Sequence, residues 1–360
     1  MQHVRVTALT LPSPRFVAAA AIGACLMACA GCSTTPGVVF DTSGGTHEWP
    51  PPPDAPRIRY VGQLKGAVDL KPAKSGIDSL GESLFGASPA PEGFLSPMAV
   101  CTDGGDKVFV ADSNAHVVHV MDLKTRAYKR IAPTGKDEQL GLPVALAYDP
   151  SGRLLVADSL GGKLVIFDLS GKRLGAIGTG VLQRPCGLLV DPATRQIYVV
   201  DSAAHQIVVL SPDGLEQGRI GRRGSEPGEF NYPTNIARDS AGRLYVSDSL
   251  NFRVQVFGPK LEFIREIGRK GDMPGYFAQP KGLALDPEGH LYVVDANFEA
   301  VQLFDSSGAV LMSFGREGKG PGEFWLPAGI FIDSHARIWI ADSYNRRVQV
   351  FDYLPEVKQP

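Results

Sequence analysis

Apolar residues recur along most of this chain in a fixed order that predicts short strands. From Pro280 to Phe304 an apolar stretch reaches an Asp, a polar turn follows, and alternating apolar residues lead to a second Asp. A third alternating run comes next, as at Arg253–Phe257, and then a fourth, as at Phe263–Gly268. Alternation with period two, bounded by Gly, Pro and Asp, is typical of β-strands. The unit therefore predicts four strands joined by tight turns.

The same unit occurs six times. Its copies begin at Pro97, Pro143, Pro185, Pro233, Pro280 and Pro327. Four strands in about 40–50 residues make one blade of a β-propeller, because a single small sheet must bury its faces against neighbours. We predict an all-β, six-bladed β-propeller with four-stranded antiparallel blades over residues 57–355, followed by a tail at 356–360. The last copy has only three strands, so Arg57–Gly62 is predicted to complete the final blade.

Composition and charge fit this prediction. The 360 residues include 41 Gly and 28 Pro, which indicates frequent turns, and the 44% hydrophobic content excludes wholesale disorder. The formal net charge is −2. A chain of this charge has no overall attraction to nucleic acid, so we expect no nucleic-acid partner.

The N-terminus has the pattern of an export signal. Arg5 and Arg15 precede an apolar run at 16–24 that is too short to span a bilayer. The residues that follow resemble the lipobox of bacterial lipoproteins, with Cys29 as the expected acylated residue and Cys32 as the alternative. We therefore expect a lipoprotein signal peptide at 1–28 and an acylated, Pro-rich tether at 29–56. Cleavage without acylation is the other possibility that the pattern allows.

Three motifs of the repeat resemble those of a known family. Pro-x-Gly, Leu-Tyr-Val-x-Asp-Ser and Asn-x-Arg-Val-Gln-Val-Phe are best preserved at Pro233–Phe257 and Pro327–Phe351. They resemble NHL repeats, and the whole chain is similar to a bacterial NHL-repeat, six-bladed β-propeller lipoprotein. The resemblance implies a fold and a tendency to bind partners, but no single reaction. The lipobox resemblance implies a lipid-anchored location at the bacterial membrane. Because the residue after either cysteine is Ala30 or Ser33 and not Asp, the resemblance implies the outer membrane if the host is Gram-negative.

Two Asp residues are present in every copy. The first set is Asp103, Asp149, Asp191, Asp239, Asp286 and Asp333, and the second set is Asp112, Asp158, Asp201, Asp248, Asp295 and Asp342. A catalytic centre is needed once, whereas a turn is needed in every blade. Asp opens turns through its side chain, so both sets are predicted to be structural.

Enzymatic chemistry has little support in the sequence. Some propellers of this family are zinc lyases, which need about three converging His. The histidines outside the signal region (His47, His116, His119, His205, His290 and His335) are expected in the tether, in turns or at solvated positions. A six-bladed calcium lactonase, another precedent, suggests Asn235 and Glu299 as candidate axial ligands. Cys101 and Cys186 are expected to be buried thiols without a disulfide.

Candidate binding residues lie where the copies differ. The residue after each starting Pro is expected to line an axial pocket, together with Asn235. These residues are Met98, Val144, Cys186, Thr234, Lys281 and Ala328. Three inter-blade loops contain Gly-Arg-x-Gly followed by Pro-Gly-x-Phe, and their basic residues are candidate partner contacts: Arg222, Arg223, Arg269, Lys270 and Arg316. Glu226, Asp272 and Glu317 are close enough in sequence to neutralise them, so a solvated, internally paired loop and an anion-binding surface both remain open.

Two functions from different classes follow. The favoured hypothesis is a non-enzymatic, envelope-anchored scaffold that binds a protein or a cell-envelope glycan through its inter-blade loops and contacts the membrane only through its lipid. The alternative is a metal-dependent hydrolase or lyase with an axial site. We expect no cofactor, and the sequence does not identify a metal.

Overall fold

The structure, a computed structural model, describes residues 37–40, 47–71, 93–132, 135 and 139–355. Residues Val39–Leu70 and Glu92–Pro360 form one compact unit, and Met1–Val38 with Lys71–Pro91 form another. All described strands belong to the first unit. The described residues contain no helix that is long and apolar enough to cross a membrane. The predicted signal peptide and both candidate lipid-anchor cysteines lie outside the described residues, as does the tail at 356–360.

Among the described residues the blades are six sheets. Blades 1 to 5 each contain four consecutive strands, and the sheet of blade 6 contains five. Blade 1 contains β3 (Pro97–Thr102), β4 (Lys107–Asp112), β5 (Val117–Asp122) and β6 (Tyr128–Ile131). Blade 2 contains β7 (Pro143–Asp149), β8 (Arg153–Asp158), β9 (Lys163–Asp168) and β10 (Arg173–Ile177). Blade 3 contains β11 (Pro185–Val190), β12 (Ile197–Asp201), β13 (Gln206–Leu210) and β14 (Glu216–Ile220).

The remaining blades follow the same order. Blade 4 contains β15 (Pro233–Arg238), β16 (Leu244–Asp248), β17 (Arg253–Phe257) and β18 (Phe263–Ile267). Blade 5 contains β19 (Pro280–Leu285), β20 (Leu291–Asp295), β21 (Ala300–Phe304) and β22 (Val310–Phe314). Blade 6 contains β25 (Ile330–Ile332), β26 (Arg337–Asp342) and β27 (Arg347–Tyr353), and it is extended by β2 (Ile58–Leu64) and β1 (Glu48–Trp49). A short parallel pair, β23 (Arg316–Glu317) and β24 (Glu323–Phe324), lies in the loop before blade 6, and single 3₁₀ turns occur at Ala67–Leu70 and Ser249–Asn251.

The hydrophobic core lies between neighbouring blades. Phe109 and Val118 of blade 1 pack in one cluster with Leu154 and Phe167 of blade 2. Because each blade is covered on both faces, its middle strands are continuously apolar, as in the buried run at 154–157 of β8. The predicted six-bladed, four-stranded architecture is therefore confirmed.

The N-terminal strand closes the ring. β2 pairs antiparallel with β27, with Tyr60 opposite Phe351 and Leu64 opposite Val348. This pairing confirms the predicted fourth strand of the last blade. It gives the outer edge of β27 a hydrogen-bonded partner.

Part of the predicted tether lies against the propeller. β1 pairs with β2 as a fifth strand, and the Trp49 ring packs on Phe314 and Phe351 at centroid distances of 5.9 and 6.0 Å. The Pro-rich composition gave no sign of this contact, because it depends on one aromatic residue next to the prolines. The rest of the expected tether lies mostly outside the described residues.

Removal of the closing strand should destroy cooperative unfolding. A chain that lacks residues 57–64 leaves β27 with an unpaired edge and exposes the apolar faces that Ile58 and Leu64 cover. We expect loss of the single thermal transition in calorimetry, and recovery when a peptide of residues 47–65 is added. An unchanged transition in the shortened chain would contradict closure by β2.

Candidate functional site

Strand direction gives the propeller two distinct faces. Each blade's first strand begins at an inter-blade loop and ends at a turn. Because the strands alternate in direction, the inter-blade loops and the turns between second and third strands share one side, which we call the loop face. The turns between first and second strands and between third and fourth strands lie on the opposite side, which we call the turn face.

The second Asp set fastens each inter-blade loop on the loop face. Every carboxylate of this set is buried and accepts a backbone N–H from the loop that enters its own blade. The donors are Leu95 for Asp112, Gly141 for Asp158, Gln183 for Asp201, Asn231 for Asp248, Ala278 for Asp295 and Trp325 for Asp342. The predicted structural role of this set is confirmed.

The first Asp set opens the turns of the turn face. Asp286, for example, accepts the backbone N–H groups of Glu288 and His290, both at 2.9 Å. Asp149 also binds Arg195 and Arg153. Burial alone would raise the pKa of Asp149, but the hydrogen bonds from Arg195, the Ser151 backbone and Arg153 lower it to about 2. These carboxylates are also structural, as predicted.

The Asn-x-Arg-Val-Gln-Val-Phe motif is a clamp for the preceding loop. In blade 4, Arg253 donates to Asp248 at 2.9 Å and to the carbonyls of Glu226 and Glu229 at 3.0 Å. Gln255 accepts the Gly228 N–H and donates to the Glu229 carbonyl. Blade 6 repeats these bonds through Asn345, Arg347 and Gln349. Blade 5 keeps only the Gln, at position 302.

The sequence did not reveal this clamp. Alternation indicated a strand but not that its Arg and Gln are buried, because a polar residue between apolar ones normally faces solvent. The signal available was the pairing of this motif with Pro-Gly-x-Phe in the same repeats. Burial raises the pKa of Asp248 although Arg253, Asn251 and the Asn231 N–H stabilise its anion.

The predicted basic contacts of the loops are paired within their own loops. Arg222 binds Glu229 at 2.7 Å, Arg316 binds Glu323 at 2.9 Å, and the Arg269 guanidinium lies 4.3 Å from the centroid of the Tyr276 ring. The acidic partners are therefore the Glu residues of Pro-Gly-Glu-Phe, and not Glu226, Asp272 and Glu317 as expected. Each loop folds back so that its second half lies beside its first, as the Arg316–Glu323 strand pairing shows.

The other two basic candidates are also positioned by their loops. The backbone of Arg223 forms an isolated parallel β-bridge with Phe230, and the backbone of Lys270 forms one with Phe277. The Lys270 ammonium lies 5.1 Å from the Phe252 ring centroid. Arg222 and Arg316 nevertheless keep 80% of their side chains exposed. That these five residues contact a partner remains a prediction.

Several large exposed apolar side chains lie on the loop face of blades 4 to 6. They are 39% to 60% exposed and comprise Tyr232, Leu250, Met273, Trp325 and Tyr344. The rings of Trp325 and Tyr344 are 5.5 Å apart, and the Lys319 ammonium lies 5.5 Å from the Trp325 centroid. Leu95 and Leu160 are exposed on the same face in blades 1 and 2. We name the first five residues the apolar rim; sequence patterns did not single them out, because exposure is decided by the loop geometry.

The six residues after the starting prolines lie where neighbouring blades meet. The Cys186 thiol is 3.4 Å from the Pro233 carbonyl, and the Thr234 hydroxyl is 3.4 Å from the Lys281 carbonyl. Burial raises the pKa of Cys186 to about 12 and lowers that of Lys281. Cys101 is a buried free thiol, as expected.

Close packing explains the glycines that follow these residues. A Cβ on Gly282 would lie 2.6 Å from the Ala328 carbonyl oxygen, and one on Gly187 would lie 2.9 Å from the Asn235 Cα. The predicted close backbone approach is confirmed. An axial cavity of about 550 Å³ is lined by the rest of the first strands; Asn235 lines it, whereas the six predicted residues do not.

Two histidines differ from their expected solvated positions. His119 is 1% exposed and lies 2.8 Å from the Tyr128 hydroxyl and 3.2 Å from Asp112. His205 is also buried and accepts the Tyr232 N–H. His119 occupies the position that Gln255 holds in blade 4, so an imidazole replaces the buried amide of the clamp.

The candidate ligands of an axial metal are not brought together. Glu299 belongs to the turn between β20 and β21 and does not line the axial cavity, whereas Asn235 does. Within the described ranges, no group of three His, Cys, Asp or Glu side chains is arranged to hold a metal ion.

Comparison with known proteins identifies the repeat. Residues 230–257 match the NHL repeat, and residues 286–355 match a family described as 6-bladed beta-propeller. The chain is a six-bladed β-propeller with NHL repeats. NHL repeat-containing protein 2 from Gallus gallus is 26% identical over 208 residues, which are 48% of this chain and 28% of that protein. This NHL propeller thus matches less than a third of its relative's length.

Solved structures of similar fold have diverse activities. An auxiliary nutrient binding protein from Bacteroides ovatus superposes with a TM-score of 0.58 at 14% identity, covering 73% of this chain and 71% of that one. Virginiamycin B lyase from Staphylococcus aureus superposes with a TM-score of 0.53 at 15% identity, covering 72% of this chain and 96% of that one. XC5397 of Xanthomonas campestris, a gluconolactonase, superposes with a TM-score of 0.55 at 17% identity, covering 73% of this chain and 89% of that one. At these identities the likeness extends to the fold alone.

Truncation of the blade 6 clamp should destabilise the NHL propeller strongly. Arg347 is 4% exposed and binds Asp342, Gln63 of β2 and three loop carbonyls. Arg347→Met leaves the buried Asp342 without its cation, so we expect a loss of about 3–5 kcal/mol in the free energy of unfolding. Urea denaturation measures this loss. Arg346→Met, at the exposed neighbour, is the control; equal losses in both variants would refute the clamp.

Proposed function

We propose that this protein is a binding scaffold of the cell envelope that recognises a protein partner through the loop face of blades 4 to 6. The observation that carries the proposal is the apolar rim, which lies on loops held by buried side chains. Large exposed apolar groups in one region of a surface mark interaction sites more often than isolated ones do.

The clamps give this surface a defined shape before binding. Arg253, Gln255 and their blade 6 equivalents fix the loop carbonyls, and Asp248 and Asp342 fix the ends of the loops. Loops that are ordered in the free protein lose little conformational entropy on association, so more of the contact energy contributes to affinity.

The chemistry of the rim favours a protein over a glycan. Trp, Tyr, Met and Arg are enriched at protein interfaces; the rim contains the first three, and exposed arginines lie in the loops of the same face. Trp325 and Tyr344 stand next to Lys319, while the exposed Arg316 lies in the same loop. A glycan that stacks on the two rings is the other partner class, which the experiment below distinguishes.

Loss of the aromatic pair should abolish partner binding. The immobilised full chain is exposed to a detergent extract of the producing cell's envelope, and retained proteins are quantified by mass spectrometry. For Trp325→Ala combined with Tyr344→Ala we expect at least a ten-fold decrease of the specific partner, as for central interface residues.

The control replaces exposed apolar residues elsewhere. Leu174→Ala combined with Leu215→Ala removes side chains of comparable exposure from the outer parts of blades 2 and 3 and should leave retention unchanged. Equal retention by both double variants would contradict the assignment of the loop face. Retention that disappears after glycosidase treatment of the extract would replace the protein partner by a glycan.

The membrane location rests on the N-terminal pattern. We propose that signal cleavage exposes Cys29 for acylation, with Cys32 as the alternative, and that the lipid holds the propeller at the bacterial membrane, in the outer membrane of a Gram-negative host. Cells that express the full chain and are fed labelled palmitate should incorporate label into the protein. Cys29→Ser should lose the label and Cys32→Ser should keep it; absence of label from the wild type would remove the anchor.

A further inference from the structure

The axial cavity extends along the first strands of all six blades. Every blade contributes the residues three to five positions after its starting proline, blades 1, 2, 4 and 6 also contribute the residue two positions after it, and the cavity reaches the turn face at Gly104, Pro150 and Ser334. At about 3.3 Å per strand residue, the distance from the second to the seventh position after a starting proline is roughly 17 Å. Its volume of about 550 Å³ lies in the range of sites for small molecules.

Apolar groups make up most of the cavity wall, which also carries Thr102, Asp103, Asn235, Arg238 and Ser334. Tyr148, Leu189, Leu285, Phe331 and Ile332 line it and are only half-buried, so their apolar surface faces the cavity or its mouth. Burial of this surface against an apolar molecule is favourable by about 25 cal/mol per Å².

One blade contributes an exceptional polar side chain to this wall. Two positions after the starting proline, the other blades have Ala99, Ala145, Gly187, Gly282 and Gly329. Blade 4 has Asn235, whose side-chain oxygen accepts the Ile236 N–H at 2.7 Å. Its amide nitrogen makes no hydrogen bond to another described residue, which leaves a donor at the cavity.

The charged groups of the wall are already neutralised. Arg238 donates to Asp191 at 3.1 Å, and Asp103 lies 3.8 Å from the Lys107 ammonium. A charged ligand would lose its hydration in this cavity without gaining a free counter-ion, which is strongly unfavourable.

We propose that the axial cavity is a second binding site, independent of the loop face, for an uncharged and elongated apolar molecule with one hydrogen-bond-accepting group. The apolar body lies along the axis between the first strands of the blades. The accepting group takes the hydrogen bond from the Asn235 amide. The entrance is on the turn face, so the site can be occupied while the loop face holds its partner.

The test uses the full chain and the uncharged fluorophore N-phenyl-1-naphthylamine, whose emission rises in apolar surroundings. We expect saturable binding in the micromolar range with one site per chain. 1-Decanol should displace the fluorophore, whereas decanoate and decylammonium should be at least ten-fold weaker. Absence of saturable binding, or equal displacement by the three ligands, would overturn the proposal.

Two variants locate the site. Ile332→Arg places a charge at the cavity wall and should abolish binding, while Leu160→Arg, on the exposed loop face, should not change it. Asn235→Leu should lower the affinity for 1-decanol about five-fold, as expected for the loss of one hydrogen bond, and should lower the affinity for the fluorophore less. If Ile332→Arg fails to fold, displacement by the three decyl ligands from the wild-type protein still tests the preference for an uncharged molecule. Loss of fluorophore binding in Leu160→Arg alone would assign it to the loop face instead.

Discussion

A buried carboxylate that accepts backbone N–H groups is the constraint on which the rest of this structure depends. In each blade the second Asp joins the end of one strand to the loop that arrives from the previous blade. The loop's amide groups would otherwise be buried without acceptors, at a cost of about 1–3 kcal/mol each. Because this contact recurs in all six blades, every inter-blade loop is fastened to the blade that it enters. Recurring Asp residues can suggest a catalytic site in a sequence, but in this protein their carboxylates hold the backbone of the loops in place.

On this common frame the blades differ in how firmly they hold their loops. Blades 4 and 6 use a complete set of Asn, Arg and Gln, blade 5 keeps the Gln, and blade 1 has His119 at that position. The apolar rim belongs to the blades with the clamps. In blades 4 and 6 large exposed side chains therefore stand beside loops held by a full clamp, whereas the exposed Leu95 and Leu160 of blades 1 and 2 do not. The cavity on the axis is built by different residues and opens on the other face.

The sequence predicted the fold almost completely, and for a physical reason. Strand alternation and the two Asp sets are local features that recur six times, so each copy supported the others. Closure by β2 followed from counting strands. The site was predicted less well, because it depends on where side chains point after the loops fold. Glu229 and Glu323 pair with the loop arginines only because each loop doubles back. Glu299 lies in the turn between β20 and β21 of blade 5, whereas Asn235 is on the first strand of blade 4. His119 was misplaced since a buried imidazole needs a partner, Tyr128, that lies on the next strand.

The position of the closing strand has a mechanical consequence. The ring is completed by the first strand of the propeller along the chain, so tension applied to the N-terminus reaches β1 and β2 before any other blade element. β1 has only two paired residues, and it would peel away first, carrying Trp49 from its aromatic contacts. Further extension would strip β2 from β27 and open the circle between blades 6 and 1. A pull on the N-terminal end would thus act first on the strand pairing that completes the ring.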